Sequence, residues 1–263
     1  TPIFAVHPGD GNVFCYTDLV RALDSNQPFY GLQAYGVEEG TVALNTIEEM
    51  ASAYISEIKK VQAKGPYLLC GYCAGGTIAF EMAQQLLANG EKVAKLILID
   101  ARASHTYAPV DEVQNFINYA RNFEGISNRD IFRLYAKKFN IDYTEEEIYK
   151  LLSKQDIPTR LQKVWECSQE LGVLPSGVGV SYLERLFNVW LGLGGMNHYY
   201  VKSYPGEIVL YYAKDDEINK TLNLKYLGWE QANPNVKVKM IDGNHFTCIK
   251  SPLVEMWADH FAE

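Results

Sequence analysis

The segment Gly71-Tyr72-Cys73-Ala74-Gly75-Gly76 constrains the fold of this chain more than any other. It follows an apolar run over residues 66–70 and precedes a helical pattern over residues 77–87. A strand, a sharp turn and a helix, with a nucleophilic side chain between two glycines, form a nucleophile elbow. The turn strains the nucleophile's backbone, and a side chain at position 71 or 75 would collide with the neighbouring strand or helix. The sequence therefore predicts Cys73 as a nucleophile in a place where serine is usual.

Strand and helix patterns alternate on both sides of this elbow, which argues for a parallel sheet with helices on its faces. The unbroken apolar runs among them are typical of parallel strands covered on both sides. Together with the elbow, this order predicts an α/β-hydrolase fold, a mostly parallel sheet flanked by helices. The predicted strands cover residues 1–6, 29–34, 66–70, 93–99, 208–212 and 236–241, and a closing helix covers residues 253–261.

A long stretch in the middle of the chain contains helical patterns only. The sequence therefore predicts an α/β-hydrolase core formed by residues 1–103 and 204–263, and a helical lid subdomain formed by residues 104–203. Helices inserted at this point should lie over the carboxyl ends of the strands, where open α/β sheets bind ligands. The helical patterns of this stretch cover residues 111–123, 130–139, 145–153, 159–170 and 181–200.

A nucleophile elbow needs a base and an acid that orients the base. His245 lies between the last predicted strand and the closing helix, the expected place of the base, and His105, just past a strand end, is a weaker alternative. The acid should follow a strand, and spacing favours Asp100 but leaves Asp215 and Asp216 open. The other histidines fall in a loop or in helical patterns: His7, His198 and His260.

Backbone N–H groups should stabilise the oxyanion that forms when the nucleophile attacks. The N–H of Ala74 directly follows the nucleophile at a helix N-terminus, and Gly9 lies in the loop after the first strand. We therefore expect Ala74 and Gly9 to form the oxyanion hole, in which one donor is typically worth about 10²–10³ in rate. His7, in the same loop as Gly9, is interpreted as a structural hydrogen-bonding residue.

Charge and cysteine content exclude several classes of protein. The net charge of −8 argues against nucleic acid or an anionic membrane as the main partner. No apolar stretch reaches the roughly 18 residues of a membrane span, and no basic leader opens the chain, so we expect a cytoplasmic protein.

Five scattered cysteines form no disulfide framework. Cys70 and Cys73 spell C-x-x-C, which leaves a thiol-redox protein open, although Cys70 should end a buried strand as a core residue.

Several stretches together resemble the thioesterase domains that end nonribosomal peptide synthetases. The resemblance is dense over residues 1–103, returns at residues 243–246 and is weak over the helical stretch. In that family the acid lies 27 residues after the nucleophile, as Asp100 does after Cys73 in this sequence. The Gly-Tyr form of the elbow is more similar to integrated (type I) domains than to stand-alone editing thioesterases. The stretches are His7-Pro8-Gly9-Asp10-Gly11, Tyr30-Gly31-Leu32-Gln33-Ala34, Ala79-Phe80-Glu81-Met82-Ala83 and residues 65–76.

The resemblance implies a thioesterase reaction in two steps. A peptidyl or acyl chain arrives on the 4′-phosphopantetheine arm of an upstream peptidyl carrier domain, and Cys73 accepts it while His245 moves protons and Asp100 orients the imidazole. Water then hydrolyses the acyl-enzyme, or the chain cyclises, and cysteine variants resemble the domains tied to strained lactones and lactams. The family implies no bound cofactor and no metal, and we expect the excised domain to be monomeric.

Other interpretations of the same sequence stay open. Cys73 is either native or an engineered replacement of serine. A stand-alone editing thioesterase or a general esterase would use the same three residues. A catalytically inactive hydrolase fold that serves as a binding module would have to explain why nucleophile, acid, histidine and oxyanion glycine all occur in order.

Overall fold

The computed structural model describes residues 1–121, 128–141, 144–175, 177–222, 224–259 and 261. Its strands are β1 Ile3–Val6, β2 Phe29–Leu32, β3 Tyr67–Tyr72, β4 Val93–Ile99, β5 Ile208–Ala213 and β6 Lys237–Ile241. Within the described residues they form one six-stranded parallel sheet in the order β2-β1-β3-β4-β5-β6. The chain reverses direction across the sheet between β1 and β3, and open sheets bind ligands at such a switch point.

Helices cover both faces of this sheet, and the predicted fold class is confirmed. One face packs on α2 and α3, whose buried residues include Tyr54 and Phe80, and the other packs on α1 and α10 through Leu19 and Trp257. The helices are α1 Thr17–Ala22, α2 Ile47–Val61, α3 Gly75–Ala88, α4 Glu112–Arg121, α5 Asn128–Lys138, α6 Glu145–Leu152, α7 Ile157–Glu170, α8 Val180–Leu193, α9 Glu217–Leu222 and α10 Glu255–Ala258.

The described part of residues 104–203 contains helices and no strand, and α4 to α8 build a core around Phe116 and Phe187. Helix α8 lies against the loop after β2: the Arg185 Nε donates a hydrogen bond of 3.0 Å to the carbonyl of Val37, which belongs to this loop. The end of this stretch instead joins the core of the sheet through Tyr199. The subdomain boundaries at 103 and 203 stay a prediction.

The predicted helix over residues 181–200 extends too far. Helix α8 ends at Leu193 and continues as a 3₁₀ segment over Gly194–His198. Consecutive glycines at positions 194 and 195 have low helix propensity, which accounts for the change.

The predicted closing helix is also shorter than expected, since α10 covers only Glu255–Ala258. The N–H groups of Met256 and Trp257 bond to carbonyls three residues earlier, as in a 3₁₀ turn, while those of Val254 and Ala258 bond to carbonyls four residues earlier, so the segment mixes 3₁₀ and α geometry. His260, which falls in this predicted helix, lies outside the described residues, as does the end of the helix predicted over 111–123.

Candidate active site

Cys73 sits at a sharp turn between β3 and α3, with a φ of 56°. A Cβ at Gly71 would lie 2.2 Å from the carbonyl oxygen of Gly75, and one at Gly75 would lie 2.5 Å from that of Val6. Both distances are far below van der Waals contact, so only glycine fits at these positions. The steric argument for a strained nucleophile elbow therefore holds in the structure.

Asp100 and His245 meet beside this elbow. Asp100 directly follows β4, the neighbour of β3, and His245 lies in the loop after β6. The His245 Nδ1 is 2.7 Å from the Asp100 Oδ2, which leaves Nε2 as the ring nitrogen that can face Cys73. The Asp100 carboxylate is buried, and its other oxygen accepts hydrogen bonds from the Ala213 N–H at 3.0 Å and from the Asn219 amide at 2.8 Å.

The alternative acids have different contacts. The Asp216 Oδ2 accepts the backbone N–H of His245 at 3.1 Å, and the Asp215 Oδ2 accepts that of Gly243 at 3.0 Å. These two carboxylates therefore hold the histidine loop by its backbone, while Asp100 contacts the imidazole ring. Asp216 is buried, although its sequence context resembles a solvated turn. No sequence pattern marks Asp216 or Asn219 as a supporting residue, because a polar turn gives little signal for such a role.

Cys73 and His245 interact as a charge pair. Burial raises the pKa of the Cys73 thiol, but the His245 imidazolium, a hydrogen bond from the Ala74 N–H and the charge of Arg102 bring it below the usual cysteine value. Burial lowers the pKa of His245, whereas the Cys73 thiolate and the Asp100 carboxylate raise it, to about 10. The two shifts act in the same direction, towards a thiolate paired with an imidazolium, which is the form in which a cysteine is nucleophilic.

The predicted oxyanion donors come from two segments that touch. Ala74 precedes α3, so its N–H lies at the positive end of a helix dipole. Gly9 belongs to the loop after β1, which runs past the elbow: a Cβ at Gly75 would lie 2.6 Å from the His7 carbonyl. Helix α8 covers this loop from the other side, since a Cβ at Gly9 would lie 2.8 Å from the Trp190 ring.

His7 is buried beneath the same loop. One ring nitrogen lies 2.7 Å from the Pro8 carbonyl and the other 2.8 Å from the Tyr54 hydroxyl. Burial lowers the pKa of His7 to about 4, so the ring is neutral at ordinary pH. These contacts fit the structural interpretation of His7, because both ring nitrogens are used within the core.

Two tyrosines without a predicted role, Tyr72 and Tyr16, hold the elbow in place. The Tyr72 hydroxyl donates to the His245 carbonyl at 2.5 Å, and its ring stacks on the imidazole with 5.0 Å between centroids. The Tyr16 hydroxyl accepts the Tyr72 N–H at 2.9 Å and donates to the Val6 carbonyl at 2.6 Å. No local pattern reveals these roles, because each contact joins residues far apart in the chain.

The remaining cysteines are buried core residues that form no disulfide among the described residues: Cys15, Cys70, Cys167 and Cys248. Burial raises the pKa of Cys70, the opposite of what a redox cysteine needs. Among the described residues, no group of three or more His, Cys, Asp or Glu side chains could hold a metal ion. In the same part of the chain, no helix is both long enough and apolar enough to span a bilayer.

Comparison with known proteins gives consistent matches. The family model described as the thioesterase domain matches residues 1–165. Atromentin synthetase invA5 of Paxillus involutus is 31% identical over 260 residues, which cover 94% of this chain and 25% of that protein. This chain thus spans about a quarter of the length of the first curated relatives that it matches.

Solved structures agree with the family match. A four-domain nonribosomal peptide synthetase bound to AMP and glycine matches with a TM-score of 0.82 and 27% identity, over 98% of this chain and 19% of that one. The NocB thioesterase domain, in covalent complex with a fluorophosphonate nocardicin G analogue, matches with a TM-score of 0.64 and 17% identity, over 98% of this chain and 91% of that one. At 17% identity the second likeness shows the fold alone.

Proposed function

Because the chain belongs to the family of thioesterase domains, a family of enzymes, we propose that it releases a peptidyl or acyl chain from a carrier-bound phosphopantetheine thioester. The acyl chain passes through a covalent intermediate on Cys73. The observation that carries this proposal is the continuous contact from Asp100 to His245 to Cys73 at the carboxyl edge of the sheet. The match to a much longer synthetase supports an upstream carrier domain as the partner.

The first step exchanges one thioester for another. The Cys73 thiolate forms a bond to the acyl carbonyl carbon, and the bond from that carbon to the pantetheine sulfur breaks. The proton held by His245 passes to the departing pantetheine thiolate, while Asp100 keeps the imidazole oriented. The N–H groups of Ala74 and Gly9 would stabilise the negative charge on the carbonyl oxygen between the two events.

The second step frees the acyl chain and restores the enzyme. Water, or an amine or hydroxyl of the chain itself, gives a proton to His245 and attacks the carbonyl carbon of the Cys73 thioester. The carbon–sulfur bond then breaks, and Cys73 returns as a thiolate facing the imidazolium. Water yields an acid, and an internal nucleophile yields a ring. Neither route requires a cofactor bound by the domain itself.

The cysteine nucleophile suits difficult releases. Transfer to Cys73 is nearly thermoneutral because the carbonyl stays in a thioester, and the intermediate keeps a better leaving group than a serine ester would. This property favours attack by a weak internal nucleophile, as in closing a strained lactone or lactam. Replacing Cys73 with Ser tests the idea: unchanged product and rate would contradict it.

The proposed function is tested by the mass of the intact protein after mixing with a short neutral acyl-pantetheine thioester. We expect a mass gain equal to the acyl group, located on Cys73 by peptide mapping and lost in Cys73→Ala. Cys167→Ala, which removes a buried thiol in α7, is the matched control and should retain the adduct. An adduct that persists in Cys73→Ala, or turnover without one, would contradict the acyl-enzyme.

The same proposal includes a cytoplasmic location. It also includes a monomeric state of the excised domain, since the synthetases that it resembles carry this domain as one part of a longer chain. Size-exclusion chromatography with light scattering tests the second point. A stable dimer would contradict it.

A further inference from the structure

Arg102 lies in the loop after β4, two residues past Asp100. Its two neighbours anchor this loop in the core: the Ala101 carbonyl accepts the Trp229 indole N–H at 2.7 Å, and the Ala103 N–H donates to the Leu227 carbonyl at 3.0 Å. Ala101 and Ala103 are fully buried, whereas Arg102 is only half-buried. The backbone thus holds the Arg102 side chain facing out of the core at the edge of the sheet where Cys73 lies.

Arg102 and Tyr107 form a pair at this edge. The guanidinium lies over the Tyr107 ring, with 4.3 Å from Cζ to the ring centroid. Both side chains are within electrostatic reach of the nucleophile. Burial, and then the Cys73 thiolate, raise the pKa of Tyr107 to about 12, while the positive charge of Arg102 helps to lower that of Cys73. The pair therefore lies within electrostatic range of Cys73 and presents a cation and a hydroxyl that stays protonated.

The guanidinium of Arg102 is not neutralised. Of the carboxylates that the structure describes, none lies within 4.0 Å of it, although the protein carries a net charge of −8. Other arginines of the chain do have carboxylate partners, such as Arg160 with Glu112 at 2.7 Å and Arg21 with Asp18 at 3.5 Å. A half-buried arginine fixed by stacking next to a nucleophile, with its charge unpaired, has the chemistry of an anion-binding group.

We propose that Arg102 and Tyr107 bind a carboxylate of the acyl chain while its thioester carbonyl lies at Cys73, so that the enzyme prefers acyl chains with an acidic side group. The inference rests on the proposed function, because the carboxylate is carried by the chain that Cys73 accepts. The guanidinium contacts a carboxylate through two parallel N–H groups, and the Tyr107 hydroxyl donates a further hydrogen bond. The phosphate of the carrier arm is the other anion of the reaction, but it lies at the far end of the arm from the thioester.

The experiment compares two acyl-pantetheine thioesters of equal length, one ending in a carboxylate (glutaryl) and one in the neutral amide of the same shape (glutaramyl). We measure the rate of acylation of Cys73 by intact mass. The wild type should prefer the carboxylate about tenfold or more, the range of a hydrogen bond to a charged group. In Arg102→Gln the two rates should become equal, and Arg102→Glu should instead prefer an amine-terminated chain.

Matched variants separate charge recognition from damage to the fold. Arg21→Gln removes an exposed arginine of α1 and should leave the preference unchanged. Arg102→Lys keeps the charge but not the bidentate contact, so it should retain part of the preference for the carboxylate. Tyr107→Phe keeps the ring but loses the hydroxyl, so it should lose less of this preference than Arg102→Gln does. If Arg102→Gln does not fold, the wild-type preference and the Arg102→Lys variant still decide the question.

The outcomes are distinguishable. If the wild type is not acylated by the neutral thioester, the proposed function is wrong. If the neutral thioester acylates every variant but the wild type shows no preference, or Arg102→Gln keeps it, the carboxylate site is wrong. Free glutarate should slow acylation by the carboxylate thioester. If inorganic phosphate slows acylation and glutarate does not, Arg102 binds the phosphate of the carrier's phosphopantetheine arm instead of a carboxylate of the acyl chain. That result would also overturn the inference.

Discussion

Tyr72 contacts His245 both by its hydroxyl, at 2.5 Å from the histidine carbonyl, and by its ring, at 5.0 Å between centroids. Because Tyr72 directly precedes Cys73, one side chain links the backbone of the predicted nucleophile to the backbone and ring of the predicted base, His245. This contact therefore helps to set where the imidazole lies relative to Cys73.

Removing the Tyr72 hydroxyl should slow the chemical step. Tyr72→Phe keeps the stacked ring but frees the His245 carbonyl, so we expect kcat to fall about three- to tenfold, the value of one buried hydrogen bond, with little change in KM. Steady-state kinetics with an acyl-pantetheine thioester measures both. Tyr67→Phe is the control, because it removes a similar hydroxyl-to-carbonyl bond of 3.1 Å at the other end of β3. An equal loss in both variants would argue against a positioning role.

Asn219 should affect kcat indirectly, by holding the Asp100 carboxylate in place. Its amide donates to the carboxylate oxygen that His245 does not use, at 2.8 Å. In Asn219→Ala the buried carboxylate loses a donor, and we expect kcat to fall about tenfold or more. The neighbouring Lys220 forms an exposed ion pair with Glu217, so Lys220→Ala should leave kcat unchanged. Wild-type kcat in Asn219→Ala would contradict this role.

The pH dependence of Cys73 alkylation reports the charge pair. Iodoacetamide reacts with the thiolate, and the pKa of the Cys73 thiol lies below the usual cysteine value despite burial, so labelling of Cys73 should begin at a lower pH than labelling of an ordinary cysteine. In His245→Gln the imidazolium is lost and burial remains, so the profile should move to higher pH. Peptide mapping separates Cys73 from the four buried cysteines. Identical profiles of wild type and His245→Gln would contradict the pair.

Gly9→Ala should disturb the loop of the predicted oxyanion hole. The new Cβ would lie 2.8 Å from the Trp190 ring, so either the loop or α8 must move. We expect acylation to slow at least about tenfold, toward the loss of one oxyanion donor. Adding Trp190→Phe removes the colliding ring atoms and should restore part of the rate. Gly194→Ala, where the added Cβ meets open space, should have no effect on acylation.

His7 should give stability its own pH dependence. Its pKa is about 6.5 in the unfolded chain and, because of burial, about 4 in the folded protein. Between these values the unfolded state binds more protons, so stability is present above pH 6.5 and is lost as pH falls toward 4. From pH 7 to pH 5 the loss should be about 2 kcal/mol.

Urea unfolding of wild type and His7→Gln at both pH values tests this contribution. Other groups titrate alike in the two proteins, including His245, whose raised pKa acts in the opposite direction. The difference between the two pH profiles therefore isolates His7. Equal slopes would show that His7 is not buried as a neutral ring.

Much of the fold could be predicted from local sequence patterns. The apolar strand over residues 93–99 has the same bounds in the structure, and Thr46 caps α2 by accepting the Glu49 N–H, as expected of a serine or threonine before a helix. Helix ends were less predictable. They depend on glycine pairs and on short turns whose hydrogen-bond span no periodicity reveals, as at Leu193 and Ala258.

The sequence also indicated which residues meet at the candidate site, since the carboxyl ends of parallel strands share one edge. Cys73, Asp100 and His245 come together there as expected, while their catalytic roles stay predictions. The supporting residues could not be predicted. Tyr72 and Asn219 act across 173 and 119 positions of the chain, and such distant pairs leave no trace in a single sequence.

The Tyr16 hydroxyl lies between β1 and β3 and hydrogen-bonds to the backbone of both strands. Val6 is paired with Gly71, so in an unbroken parallel ladder the Val6 carbonyl would accept the Tyr72 N–H directly. Tyr16 bridges these two groups instead, and it parts β1 from β3 one residue before the nucleophile. A side chain of the protein therefore sets the point where the two strands diverge. Because the strands are already separated there, separating them adds no cost to the free energy of binding an acyl chain.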